Sequence, residues 1–347
     1  MDNECSIDDK LDRILQDERA EPCSIPLQYL RDITANFSAD RELGNGGFGV
    51  VYKGELLNGK KVAVKNLRSI PQCHEPQFQK ELNNLMKVRH KNIVRFVGYC
   101  CETQKLYEKF NGKNILAEST KMLLCFEYMP SGSLQRYISD EMGGLEWNRR
   151  YKIIKGICNG LHYLHDECQA DGSIIHLDLK PENVLLDENF VPKISDFGLA
   201  KLFDHEKTQT SMTLFAGSLG YMSPEYIYNS IVSPMSDVYS LGVIIMQMVT
   251  GNKHGPSGTE EFCEDFIEPV ISSFPKDMLS TQENMSIQTA YEQIGRCLET
   301  GINCIQYDRR KRPTIGQIVN MFDKFEGVHS NVADEGRPHG NQVRYHL

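Results

Sequence analysis

With 347 residues, 40% of them apolar and 24% charged, the chain is long enough to bury a sizeable core, and its length suits two domains or lobes. A formal net charge of -9 gives no electrostatic reason to expect nucleic acid, whose protein ligands concentrate basic surface. Eleven cysteines, an odd number scattered from Cys5 to Cys304 without a repeating spacing, argue against a complete disulfide framework and for a reducing compartment.

Residues 1–37 form a charged lead-in. It holds no apolar run of signal-peptide length, and it starts Met-Asp rather than the Met-Gly of a myristoylation signal. Apolar residues around 11–15 and 27–33 predict two short amphipathic pieces. From residue 38 to about 128 short strands dominate. VVYKGEL and KKVAVKNL are β-rich runs joined by LNGK, an Asn-Gly hairpin signal. Phe78, Leu82, Leu85 and Met86 recur at helical spacing and predict one helix among the strands. Cys100 and Cys101 are adjacent, lack the two-residue gap of a metal knuckle, and read as strand residues.

Past MPSGS at 129–133 the pattern turns helical. Ile153, Ile154, Ile157, Leu161 and Leu164 mark an amphipathic helix. SDVYSLGVIIMQMVTG reads as a buried helix capped by Ser236 and closed by Gly251. Its apolar run at 241–249 is far shorter than the roughly 20 helical residues that span a bilayer. Residues 327–347 are polar and aperiodic, which predicts a disordered tail.

Several motifs carry chemistry. LGNGGFGVV sets Gly44, Gly46 and Gly49 in the G-x-G-x-x-G spacing, where missing side chains let backbone N–H groups approach phosphate. In a dinucleotide-binding turn the third glycine opens a helix; here Val50, Val51 and Tyr52 continue as a strand, which favours a flap over a triphosphate. In VAVK, alternation puts Ala63 and Lys65 on one face and Val62 and Val64 on the other. Ala63 then floors an adenine ring while Lys65 reaches its phosphates. Glu81 stands one turn after Phe78 and one turn before Leu85, beside the apolar face of its helix. Taken alone it reads as an ordinary surface charge; placed inward it needs a cationic partner, and Lys65 is the candidate.

Residues 174–187, IIHLDLKPENVLLD, supply Asp178, Lys180 and Asn183, and ISDFGLA supplies Asp196. Magnesium takes oxygen ligands in near-octahedral geometry, so Asp196 with the amide oxygen of Asn183 suits it once phosphates and water complete the shell. A carboxylate kept off the metal, Asp178, can accept a hydroxyl proton, and Lys180 is a compact charge suited to a transferring phosphoryl group.

In chain order GNGGFGVV, VAVK, Glu81, HLDLKPEN, DFG, SPE, the SDVYSLG helix and Arg312 resemble a eukaryotic protein kinase over residues 38–326. The resemblance implies an α+β, bilobal fold: a small β-rich N-lobe with one regulatory helix, about 38–128, and a large, mainly helical C-lobe, about 132–326. It implies that Gly44, Gly46 and Gly49 cover the phosphates of ATP, that Lys65 pairs with Glu81 and the nucleotide, and that Asp178 is the catalytic base. Asn183 and Asp196 then bind Mg²⁺, with Mn²⁺ as a substitute. Leu43, Val51, Ala63 and Leu185 enclose the adenine, Phe126 stands at the back of its pocket, and Glu127 to Met129 form the hinge whose backbone bonds the base. Leu85, Phe96, His176 and Phe197 match an internal spine, and Glu225 with Arg312 the ion pair that ties the activation segment to the large lobe.

DLKPEN and GSLGYMSPE are similar to the serine/threonine group, with Ser218 in place of its usual threonine. FSADRELGNGGFGVVYKGEL, NIVRFVGYC and FEYMPSGSL are similar to plant receptor-like kinases of the interleukin-receptor-associated-kinase and Pelle clade. That likeness implies protein substrates, autophosphorylation, an upstream receptor or co-receptor kinase, and a cytoplasmic place with peripheral association at the inner face of the plasma membrane. A binding or scaffold module on the same fold is the alternative, and the intact set Lys65, Asp178, Asn183 and Asp196 argues against it.

Two departures stand out. Residues 102–122 are long where the family has a brief hairpin turn, and are expected to form a surface insertion. Leu177 replaces an arginine that, in the family, binds a phosphorylated activation-segment residue. Neither proton acceptor nor metal ligand is touched, so the expected loss is a regulatory link and not catalysis. Thr208, Thr210, Ser211 and Thr213 are the candidate phosphosites, with Lys201 as a substitute receiver.

Overall fold

The computed structural model describes residues 6–335 apart from 48, 69–73, 111–112, 139–143, 169–171, 205–209, 212–215, 252–266, 276–278 and 280–285. The lead-in folds as helix α1 (Ile7–Gln16), strand β1 (Cys23–Ser24) and helix α2 (Leu27–Ile33). Strands β2 (Glu42–Gly46), β3 (Gly49–Glu55) and β4 (Lys61–Leu67) follow, then helix α3 (His74–Lys87) and strands β5 (Phe96–Phe110) and β6 (Lys113–Glu127). They form one sheet ordered β1-β5-β6-β4-β3-β2, antiparallel except where β1 joins β5.

Strand alternation decides what each face of this sheet covers. Val62 and Val64 point to the side where Leu11, Ile14, Leu30 and Ile33 of the lead-in pack, together with Val97, Leu123 and Cys125. Ala63 and Lys65 therefore face the opposite side, which is left for the cleft. The amphipathic pieces expected in the lead-in thus bury their apolar residues against the N-lobe, and the segment is part of its core. Polar contacts fix the docking: Tyr29 Oη donates to Asp8 at 2.7 Å, and the amide of Leu27 donates to Glu102 at 2.7 Å. Gly98 makes the β1 pairing possible, because a Cβ there would collide with the carbonyl of Cys23.

The expected surface insertion has regular structure. From Glu102 opposite Lys121 to Phe110 opposite Lys113 the β5–β6 ladder continues without a break, as a ribbon extending the sheet's hairpin. Thr103 and Thr120 hydrogen-bond across it at 2.9 Å, and Lys105 meets Glu118 at 3.5 Å. Tyr107 and Leu116, paired across the strands, are exposed.

The C-lobe contains β7 (Gly132–Ser133), α4 (Gln135–Ile138), α5 (Trp147–His162), β8 (Gly172–Ile175), β9 (Val184–Leu186) and β10 (Pro192–Ile194). Then come β11 (Lys201–Asp204), β12 (Thr210–Ser211), α6 (Pro224–Asn229), β13 (Ile231–Val232) and α7 (Pro234–Thr250). Helices α8 (Ile267–Ser273), α9 (Ile287–Cys304) and α10 (Ile315–Glu335) complete it. The spacing of Ile153, Ile154, Ile157 and Leu161 is realised in α5, which packs on the almost wholly buried α7.

Two boundaries differ from expectation. Ser233, not Ser236, precedes α7, with Pro234 at its first position; Ser236 sits in the first turn, where its Oγ accepts the amide of Ser233 at 3.2 Å. The disordered tail expected from residue 327 gives way to helix, since α10 runs to Glu335 and residues 328–335 hold no Gly or Pro to stop its propagation. Residues 336–347 of that tail lie outside the described residues. Among the described residues no helix is long and apolar enough to cross a membrane.

Candidate active site

The site lies between the sheet face carrying Lys65 and the loops around β8, β9 and β10. Lys65 Nζ lies 3.2 Å from Glu81 Oε1 and 2.8 Å from Asp196 Oδ1. Glu81 is buried, so the inward placement holds rather than the surface one, and the cation compensates a carboxylate that would be costly alone. Burial of Lys65 disfavours its charge, but Asp196 and Glu81 outweigh it and its pKa rises from the ordinary 10.5 to about 12. For Asp196, burial pushes the carboxyl up, and the neighbouring Lys65 ammonium outweighs that and holds it below the usual carboxylate range.

The Lys65 contribution to stability is complete below 10.5 and is lost as pH rises through about 12. The Asp196 contribution is complete well above 3.8 and is lost as pH falls through its lowered folded value. In a carboxyl NMR titration Asp196 should therefore be more than half ionised at pH 3.8, and Lys65→Met should move its midpoint upward. A midpoint indifferent to that substitution would disprove the assignment of cause.

On the opposite wall, Asp178 is gripped through both oxygens. Oδ1 accepts from Ser218 Oγ at 2.8 Å, and Oδ2 accepts from Asn183 Nδ2 at 3.0 Å and lies 3.1 Å from Lys180 Nζ. Lys180 in turn donates to Ser218 Oγ at 2.6 Å. Asn183 gives its other amide proton to the Asp178 carbonyl at 2.8 Å, which fixes the amide so that its oxygen is left for another ligand. Asp196 Oδ1 takes Lys65, leaving Oδ2 for the same use. Among the described residues no group of three or more His, Cys, Asp or Glu could hold a metal unaided. One carboxylate oxygen and one amide oxygen fit a hard divalent ion whose remaining ligands come from phosphate and water.

The flap residues fit a phosphate group in an instructive way. A Cβ at Gly44 or Gly46 would meet nothing within 4 Å, so the fold itself does not require glycine there, and the bare backbone is open to a ligand. Gly49 is different: a Cβ would collide with the carbonyl of Asn66 on the neighbouring strand, which accounts for that glycine structurally. Ala63 and Leu185 are only half-buried although their strand neighbours Val62, Val64, Val184 and Leu186 are fully covered; Val51 and Phe126 are half-buried too, and Leu43 is 46% exposed. This leaves apolar surface of the kind a flat base would cover. Ala63 and Phe126 are register partners, and Met129 is buried. The carboxylate of Glu127 faces away from such a role, accepting Lys193 Nζ at 2.7 and 2.8 Å and the amide of Arg95 at 2.7 Å. Any contact of Glu127 with a base runs through its main chain.

Leu85, Phe96 and Phe197 share one core cluster, and His176 meets the Phe197 ring edge-on at 5.2 Å. Sequence reasoning missed Asp237 and His165. Asp237 is fully buried in the first turn of α7 and accepts the amides of His176 at 2.7 Å and Leu177 at 2.8 Å, with His165 Nε2 at 2.9 Å. It thereby holds the backbone just before Asp178, where Leu177 has a left-handed φ of 65°. The available signal was a lone carboxylate in a helix otherwise reading as core, which demands several donors.

A family model for the protein kinase domain matches residues 37–322. Cysteine-rich receptor-like protein kinase 26 of Arabidopsis thaliana is 38% identical over 305 residues, covering 85% of this chain and 43% of that protein. Cysteine-rich receptor-like protein kinase 10 of Oryza sativa subsp. japonica is 37% identical over 302 residues, 86% of this chain and 44% of the relative. G-type lectin S-receptor-like serine/threonine-protein kinase SD1-13 of Arabidopsis thaliana is 35% identical over 320 residues, 90% of this chain and 35% of the relative. The chain thus spans less than half the length of these curated relatives.

Proposed function

The chain belongs to the protein kinase family, and from that premise we propose that it transfers the γ-phosphate of ATP to serine and threonine hydroxyls of proteins, its own included. The observation that carries this reading is the joint placement of Lys65, Glu81 and Asp196 on one side of a cleft and Asp178, Lys180, Asn183 and Ser218 on the other. Asp178, with its oxygens oriented by Ser218, Asn183 and Lys180, is the acceptor for the proton of the incoming hydroxyl. Lys180 places a positive charge beside the path of the transferring group. Lys65, fixed by Glu81, holds the nucleotide's phosphates. Asn183 Oδ1 and Asp196 Oδ2 would hold the divalent ion, Mg²⁺ by preference, whose chemistry when bound is to neutralise charge on the phosphates. Mapping phosphosites by mass spectrometry after incubation with Mg-ATP tests the reading, and a parent chain that acquires no phosphate would refute it.

The finer reading is a plant receptor-like kinase of the interleukin-receptor-associated-kinase and Pelle clade, receiving its signal from a receptor or co-receptor kinase at the inner face of the plasma membrane. The receptor-like kinases among its relatives support it, and a pull-down of the chain with plant plasma-membrane receptor kinases tests it. With leucine at 177, which cannot bind a phosphate, this reading puts control outside the activation-segment phosphate. Of the expected phosphosites, Thr208 and Thr213 lie outside the described residues, and Thr210 and Ser211 are described only as strand β12, paired with β13. Lys201, the substitute receiver, begins β11 opposite Ile175. Replacing Thr208, Thr210, Ser211 and Thr213 together by alanine should leave the initial rate near that of the parent, since on this reading no phosphate on them is needed for activity. A large loss would overturn this reading of Leu177.

A further inference from the structure

Leu177 does not project into solvent in place of the absent arginine. It is buried, at 7% exposure, in a compact apolar cluster with Ile175, Met222, Tyr226 and Val232, and Leu199 packs on its edge. These residues come from different parts of the site. Ile175 ends β8 and Leu177 lies in the catalytic loop, Leu199 follows Phe197, Met222 and Tyr226 follow Ser218, and Val232 lies on β13. The cluster therefore joins the catalytic loop to both flanks of the activation segment.

Polar contacts around the cluster place it directly beneath the reacting groups. Tyr226 Oη accepts the amide of Ala216 at 3.0 Å and donates to the Ala216 carbonyl at 2.7 Å, pinning the chain just before Gly217. Gly217 runs close over the Leu177 carbonyl, which lies 3.3 Å from the position a Cβ would take. The next residue is Ser218, which bonds both Asp178 and Lys180. Asp237 holds the Leu177 amide from the other side at 2.8 Å. A well-packed apolar cluster is rigid, so this arrangement helps fix residues 216–226 against the catalytic loop, while the Glu225–Arg312 pair ties the same stretch to the C-lobe.

Resting on the kinase reading, we propose that Leu177 is a positioning residue for the protein-substrate step: its side chain closes an apolar clasp that keeps Ser218 on Asp178 and Lys180 and holds residues 216–226 as the platform for the acceptor polypeptide. The clasp is expected to act on the acceptor side, since its members Ile175, Leu177, Leu199, Met222, Tyr226 and Val232 all come from the C-lobe.

The test compares the parent chain with Leu177→Ala and Leu177→Met by hydrogen exchange and by steady-state kinetics on a serine-containing peptide. Leu177→Ala should raise exchange across residues 216–226 about tenfold while protection around Lys65 and Glu81 stays at the parental level. It should lower kcat/KM for the peptide by about tenfold with the KM for ATP within about twofold of the parent, and Leu177→Met should restore both. Parental protection and parental peptide kinetics in Leu177→Ala would overturn the proposal. So would a loss of protection spread over both lobes, or a fall in ATP affinity matching the fall in peptide turnover. A parent chain that transfers no phosphate would refute the kinase reading and the positioning role with it, whereas the exchange pattern reports separately whether the clasp exists.

Discussion

Replacing Asp178 by asparagine should lower the rate of phosphotransfer by about 10²–10⁴-fold, the range general-base catalysis supplies. Asparagine keeps the size of the side chain but removes the carboxylate that takes the hydroxyl proton. Its amide would also present donors where Asp178 Oδ2 meets Asn183 Nδ2 at 3.0 Å and Lys180 Nζ at 3.1 Å. The nucleotide side of the cleft, built on Lys65, Glu81 and Asp196, is untouched, so the KM for ATP should change little. Initial rates with Mg-ATP, read together with phosphosite maps, measure the effect. Equal phosphorylation by both proteins would assign any activity to something other than this site.

Arg312→Ala should destabilise the chain by about 3–5 kcal/mol, the cost of leaving one partner of a buried ion pair behind. The guanidinium meets Glu225 through two parallel bonds of 2.8 Å and also donates to the carbonyls of Gln306 at 2.8 Å, Met235 at 2.9 Å and Tyr307 at 3.3 Å. Every N–H group of the arginine is engaged, and its plane lies over the Tyr239 ring at 5.0 Å. Without it, Glu225 and three carbonyls lose their donors inside the C-lobe. Arg312→Lys should recover only part of the loss, because one ammonium cannot reproduce the planar fork. Replacing Arg312 and Glu225 together by leucine and methionine should be milder than Arg312→Ala, since no charge is then stranded. Urea midpoints decide, and a loss below about 1 kcal/mol for Arg312→Ala would mean that the pair is effectively solvated.

These two residues also illustrate how differently parts of this protein can be read from its chain. Asp178, Lys180, Asn183 and Asp196 were legible because phosphoryl transfer requires their chemical types at short, fixed separations in the chain. Lys65 and Glu81 were half legible. Strand alternation set the face of Lys65, but whether Glu81 pointed inward depended on where α3 packed, and only the 3.2 Å contact decides it. Asp237 escaped notice because its role lies in donors from His165, His176 and Leu177, remote in sequence.

The amino-acid sequence by itself determined the bilobal α+β plan, the hairpin between β3 and β4, the helical C-lobe and which residues are candidates for the reacting groups. Each of these rests on local periodicity, turn chemistry or a short motif, and local patterns survive without knowledge of the fold. Tertiary structure alone decided that the lead-in covers the back of the N-lobe sheet, and that residues 102–122 prolong β5 and β6 as a ribbon. It alone decided too that Leu177 is buried in an apolar cluster with Ile175, Met222, Tyr226 and Val232. These depend on which distant apolar surfaces meet, and burial is non-directional, so no spacing along the chain announces its partner.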